Sequence, residues 1–169
     1  TLMVSMILGG ALAFAGMATA QETSSNRFAA KTDWSVFVED NPTECWAVSS
    51  PKETVNTRDG RVVSVRRGDI LLFISFRPGA SVAGEGSFTG GYPFASGSTV
   101  TRSISGNSFE LFTEGEWAWP ASAAEDARIT TAMKRGAEAK LTARSSRGTV
   151  TEDTFSLQGL TAAFEEAGK

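Results

Sequence analysis

The residue types that most often carry chemistry are scarce in this chain. Among its 169 residues there is no histidine and a single cysteine, Cys45. Without histidine the commonest general base and the commonest partner of a nucleophile are missing. One cysteine cannot build a zinc site of His and Cys ligands within one chain. No P-loop or dinucleotide-binding glycine fingerprint occurs in a strand–turn–helix setting, so no cofactor and no metal are expected. Carboxylates are the remaining route to catalysis. Glu110, Glu114 and Glu116 lie close together, and two of them could flank a sugar as acid and base or nucleophile. Glutamates around a turn are far more often solvated than catalytic. The expectation is therefore a protein that is not an enzyme, with a carboxylate-dependent glycan hydrolase as the alternative.

Binding features are more visible. Trp117-Ala118-Trp119-Pro120 would project both indoles to one side of an extended segment. Exposed, they would stack on a sugar or a partner surface; buried, they would cap the core, the commoner fate of large aromatics. Tyr92 and Phe94 share a side in the same sense, and a cleft around these four residues is the candidate ligand site. Arg58, Arg61, Arg66, Arg67 and Arg77 concentrate positive charge, partly offset by Asp59 and Asp69. This stripe reads either as the solvated face of a hairpin or as a patch for acidic lipid headgroups or sugars. Arg67-Gly68-Asp69 spells the tripeptide of integrin ligands, but a turn needs only its Gly and Asp. Cys45 reads as a buried inert thiol beside Trp46 or as a thiol for an intermolecular bridge.

Short strand-like runs separated by turn signals must position these residues, at the spacing of an all-β sandwich or barrel. Trp34 to Val38 and Cys45 to Ser49 open the series. Asp59-Gly60 is a hairpin turn signal, followed by a strand over 61–66 and a turn at 67–69. Ile70 to Phe76 is almost wholly apolar and predicts a central strand covered on both faces. Gly84 to Gly97 predicts a long loop or irregular strand. Val100–Ile104 and Ser108–Thr113 predict a hairpin across Gly106-Asn107. One inserted helix starts at a capping box, Ser122 with Glu125, and stops at Gly136. Ile129, Ala132 and Met133 form its apolar stripe. Two strands and a short helix over 160–167 complete the chain.

The first 20 residues carry no charge, while every Lys, Arg, Asp and Glu lies beyond them. The apolar centre Val4–Ala15 has the length of a signal-peptide core, roughly 7–15 residues, and Ala18-Thr19-Ala20 resembles a cleavage site. An uncleaved anchor is the competing reading, although a spanning helix needs about 20 apolar residues. The chain opens at Thr1 without a basic segment and reads as lacking its first residues. The expected organisation is a signal peptide over 1–20, a flexible lead over 21–31, and one domain over 32–169 without a transmembrane segment. The net charge of −3 gives no global attraction to nucleic acid.

Several stretches together carry a family resemblance: T-D-W-S-V-F at 32–37, C-W-A-V-S at 45–49, R-V-V-S-V-R-R-G-D-I-L-L-F-I-S-F-R-P-G at 61–79, and F-S-L-Q-G-L-T-A-A-F at 155–164. With them the chain resembles the invasion-associated locus B family of small exported alphaproteobacterial proteins. The resemblance implies an immunoglobulin-like antiparallel β-sandwich with no enzymatic activity. It also implies a binding or scaffolding role in the periplasm or outer membrane, or outside the cell, with a link to host-cell interaction. The partner would be an envelope macromolecule, whether protein, glycan or lipid. Relatives often carry several cysteines, and here only Cys45 is present. The family transfers no catalytic residues.

Overall fold

The structure, a computed structural model, describes residues 27–169. The expected signal peptide over 1–20 and the first part of the lead lie outside the described residues. The last part of the lead forms a strand, β1 (Arg27–Lys31), paired antiparallel with β2 (Trp34–Glu39). Nothing in its side-chain pattern announces it, because Ala29 and Ala30 offer little apolar contrast and the ladder with β2 supplies its order.

The remaining strands are β3 (Glu44–Ser49), β4 (Glu53–Arg58), β5 (Arg61–Val62), β6 (Leu71–Arg77), β7 (Val82–Thr89), β8 (Thr99–Ile104), β9 (Asn107–Glu114), β10 (Trp117–Pro120), β11 (Glu138–Arg144) and β12 (Val150–Ser156). They form one antiparallel sheet in the order β1-β2-β3-β6-β7-β10-β9-β8-β11-β12-β4-β5. The junction between β7 and β10 rests on Trp117 opposite Thr89 and Ala118 opposite Phe88. Strands far apart in this order meet across a shared core, as in an antiparallel sandwich. Phe88 of β7 meets Phe155 of β12 edge to face at 6.1 Å. Trp34 of β2 donates its indole N–H to the Ser156 carbonyl at 3.1 Å.

Side-chain alternation across these ladders divides the residues into an inner and an outer set. Trp34, Val36, Ala47, Leu72, Ile74, Phe88, Leu111, Leu141 and Phe155 point inward and are buried. This corrects the expectation for β6. Leu72, Ile74 and Phe76 are buried, but Leu71, Phe73 and Ser75 face outward and are only half-buried. The apolar run reflects one core face and one aromatic outer face.

The strand expected over 61–66 pairs at Arg61 and Val62 and ends its bonding to β4 with the Val63 N–H on the Asn56 carbonyl at 2.9 Å. The chain then leaves the sheet and crosses to the loop after β7, where the Gly68 N–H donates to the Gly91 carbonyl at 2.8 Å. Gly84–Gly97, expected as a long loop or irregular strand, begins as regular strand in β7 and continues as loop. A Cβ on Gly84 would lie 2.8 Å from the Phe164 ring, and one on Gly86 would lie 3.1 Å from an Asp126 oxygen. These glycines let two helices approach the sheet. Helix α1 (Ala123–Arg135) starts where Ser122 accepts the Glu125 N–H at 3.1 Å and buries Ile129 and Met133, as its stripe predicts. Helix α2 (Leu160–Ala167) buries Leu160, Ala163 and Ala167. Among the described residues no helix is long and apolar enough to cross a membrane.

One inner position is charged. Arg102 lies between Val100 and Ile104 on β8 and is fully buried under α1. It donates from Nη1 to the Met133 sulfur at 3.4 Å, while Nε and Nη2 find no acceptor among the described residues. Burial pushes its guanidinium down to about 10, against the pull of Asp126 in the other direction. The unfolded chain thus holds this proton more tightly than the folded one. At neutral pH the charge persists at a cost of about 3 kcal/mol, which lessens only as pH rises above about 10. Arg102→Met keeps length and removes the charge, and should raise stability by about 1–3 kcal/mol in urea denaturation. A loss of stability would show that the guanidinium holds the core together.

Candidate functional site

Two surface features stand out once the inner and outer sets are separated. The first is a chain of rings on the outer face. Phe37 of β2 stacks on Trp46 of β3 with centroids 6.2 Å apart and planes at 17°. Phe73 of β6 meets Trp117 of β10 at 5.6 Å. Phe112 of β9 meets Trp119 of β10 at 5.4 Å. The ladders place all six on the same side: Phe37 opposite Trp46, Phe73 opposite Ser87, Trp117 opposite Thr89, Trp119 opposite Phe112. The rings sit on five of the six strands that neighbour one another from β2 to β9 in sheet order. Phe112 is 47% exposed and Trp117 38%, while the other four are half-buried. Ser35 lies on the same side and is half-buried, whereas Ser87 and Thr89, on that side of β7, are buried. At one end Phe37, Trp46 and Phe73 wall a shallow cleft of about 560 Å³, closed by the loop around Pro51.

The second feature is a buried ion pair. Asp153 faces inward on β12 and receives the Arg67 fork at 2.7 and 2.6 Å. The Arg67 side chain is 6% exposed and that of Asp153 is 0% exposed. Arg67 also donates from Nε to the Gly90 carbonyl at 2.9 Å and from Nη1 to Asn56 at 3.3 Å, and it lies 5.1 Å from the centre of the Tyr92 ring. Tyr92 shares a hydrogen bond with the Thr151 hydroxyl. Burial pushes the Asp153 carboxyl up, with Arg67 pulling it back, and burial pushes the Tyr92 phenol up. One guanidinium thus ties the segment after β5 to β4, to β12 and to the loop after β7.

The residues singled out from sequence separate in space. Trp117 and Trp119 do share one outer face, and Trp117 is open to solvent rather than sealed in the core. Phe94 is a core residue, packed against Phe88 at 6.1 Å. Tyr92 meets Phe94 edge to face at 5.2 Å and borders a different cleft, beside Arg67. Cys45 lies opposite Val38 and Phe76 and packs against the core. Burial first, and Asp40 second, push its thiol up and disfavour the thiolate. In Arg67-Gly68-Asp69 the arginine is held inside, so the tripeptide is not displayed. Glu110 accepts from the Thr99 and Thr101 hydroxyls at 2.5 and 2.8 Å on the outer face of β9. Glu116 borders the cleft beside Tyr92 instead.

Sequence reading missed Asp153, Phe37, Phe73 and Phe112. A usable signal existed for the first. In Thr151-Glu152-Asp153-Thr154-Phe155, an inward Phe155 puts Asp153 on the same side, and an inward carboxylate needs a cation. The same period exposes Arg102 between Val100 and Ile104.

No family profile matches the chain, and no curated protein matches it. Among solved structures, it is similar to the crystal structure of invasion associated protein B from Bartonella henselae. The TM-score is 0.55 at 14% identity, over 82% of this chain and 94% of that one. The likeness is one of fold.

Removing one partner of a buried pair leaves the other charge stranded, which costs about 3–5 kcal/mol, whereas replacing both by apolar groups is near neutral. Asp153→Asn should therefore lose about 3 kcal/mol or more in urea denaturation, and Arg67→Met with Asp153→Leu should lose clearly less. Equal losses would assign the cost to packing rather than to charge.

Proposed function

We propose that this chain is an exported, non-enzymatic binding protein of the invasion-associated locus B kind, and that it holds an envelope glycan on its outer aromatic face. The observation that carries the reading is the run of three ring pairs across six strands, open to solvent at Phe112 and Trp117. The buried core lies on the other side of these strands, so its packing does not call for six aromatics on the outer side. Large contiguous apolar patches on soluble proteins mark interaction surfaces.

A glycan fits this face better than an apolar protein surface does. Rings present flat faces to which a sugar's C–H side can apply itself, and the half-buried Ser35 lines the cleft beside Phe37 with a hydroxyl to meet the sugar's own. The cleft between Trp46 and the Pro51 loop gives an extended chain one walled end. The uncharged leader with its Ala18-Thr19-Ala20 end supports export, and the fold shared with the Bartonella protein supports an invasion-associated kind of role.

Titration of the intact protein with soluble peptidoglycan and lipopolysaccharide oligosaccharides should change Trp fluorescence in a saturable way. Trp117→Ala together with Trp119→Ala should weaken binding at least about tenfold, a loss of roughly 1.4 kcal/mol or more, without lowering the thermal midpoint by more than a few degrees. Unchanged affinity in that variant, or binding of a purified envelope protein but no glycan, would overturn the reading.

A further inference from the structure

The arginine stripe seen in the sequence does not stay together in the fold, and its rearrangement defines a second site. Arg61 remains on the short edge strand β5, and Arg77 pairs with Glu85 at 2.9 Å. Arg58, Arg66 and Arg67 instead converge with Arg147, from the turn between β11 and β12, around one cleft of about 580 Å³. Tyr92 and Glu116 complete the wall that matters here.

Their partners differ. Arg67 is committed to Asp153 at the floor. Arg58 donates from Nη2 to the Thr149 hydroxyl at 2.7 Å, a neutral acceptor. The side chains of Arg66 and Arg147 are exposed and make no hydrogen bond or ion pair among the described residues. Arg147 nevertheless has a fixed base. The Ser145 hydroxyl accepts the Arg147 and Thr149 backbone N–H groups at 3.3 and 3.1 Å, and Gly148 donates to the Ser145 carbonyl at 2.9 Å. The opposite wall is equally constrained, since Gly68 and Gly91 touch backbone to backbone. A Cβ on Gly91 would lie 2.5 Å from the Gly68 carbonyl oxygen.

Three arginines without a carboxylate partner thus approach one concavity from three separate segments, in a chain whose net charge is −3. Glu116 is the one acidic residue at its rim. Like charges gathered in a concave, partly apolar site focus a positive potential and favour an anion. Guanidinium forks match phosphate oxygens, and cations arriving from different sides suit a tetrahedral anion better than a planar carboxylate. Tyr92, Val65 and Pro93 line the same cleft, and give an apolar wall for an organic body attached to the phosphate.

We propose that this cleft binds a phosphate ester, with Arg58, Arg66 and Arg147 as its phosphate ligands and Tyr92 as the wall for the attached group. The ester reaches the site either as a free sugar phosphate or as a phospholipid headgroup. The site is separate from the outer aromatic face, so each can fail without the other.

The test uses the intact protein with three soluble probes, glucose 1-phosphate, inorganic phosphate and glucose, in calorimetric titration. Vesicles of phosphatidylcholine with and without phosphatidylglycerol are used in co-sedimentation. Expected is saturable binding of glucose 1-phosphate, weaker binding of inorganic phosphate, none of glucose, and loss of affinity as salt rises. Binding of the charged vesicles in addition assigns the headgroup source; soluble binding alone assigns the free ester. Arg66→Gln with Arg147→Gln should reduce affinity at least about tenfold with an unchanged thermal midpoint, because neither side chain has a partner to lose. No saturable binding of either phosphate ester or charged vesicle, or equal binding by the double variant, would overturn the proposal.

Discussion

The surface of this protein depends on one bidentate contact, between Arg67 and the inward carboxylate of Asp153. After Val62 the chain has left the sheet and has few apolar side chains with which to hold itself. A guanidinium that also reaches Gly90, Asn56 and the Tyr92 ring supplies that hold. It fixes where Arg66 stands, sets the floor of the basic cleft, and withdraws Arg67 from the tripeptide it would otherwise display. A lysine could not replace it, because a compact ammonium lacks the planar fork that meets two carboxylate oxygens while a third N–H reaches a carbonyl. The buried pair is better understood as setting one arrangement of the loops than as adding stability.

The second organising fact is the separation of inner and outer residues by the folded sheet. The core runs from Trp34 to Phe155, and the helices bury Ile129, Met133, Leu160 and Ala163 against it. Aromatics are nevertheless placed on the far side of β2, β3, β6, β10 and β9, where packing does not require them. That surplus gives the binding reading its physical content. The basic cleft lies elsewhere and gathers arginines rather than rings, so one frame carries two surfaces of different chemistry.

Much of this was legible in the sequence. The strand-rich sandwich, the Ser122 cap, the stop at Gly136 and the Gly106 hairpin follow from local rules of period and turn chemistry, and all are present. What was not legible depends on pieces distant in the chain. Gly84 and Gly86 leave loop and irregular strand open in the sequence because glycine is a turn residue, and here they sit in a strand and make room for Phe164 and Asp126. The apolar run of β6 read as doubly buried because a half-exposed aromatic face looks the same as a core face in one dimension. The pairing of Phe73 with Trp117, and the meeting of Arg66 with Arg147, need the sheet order. No spacing along the chain encodes it.

The central claim, that ligand contact falls on the outer aromatic face, can be read from the four tryptophans directly. Trp46, Trp117 and Trp119 lie on that face, whereas Trp34 is sealed in the core with its indole N–H on the Ser156 carbonyl. Indole N–H resonances in an ¹⁵N correlation spectrum, followed during titration with envelope oligosaccharides, should shift for the three outer tryptophans and stay fixed for Trp34. Saturable binding that moves none of the outer three, or moves Trp34 equally, would contradict the account.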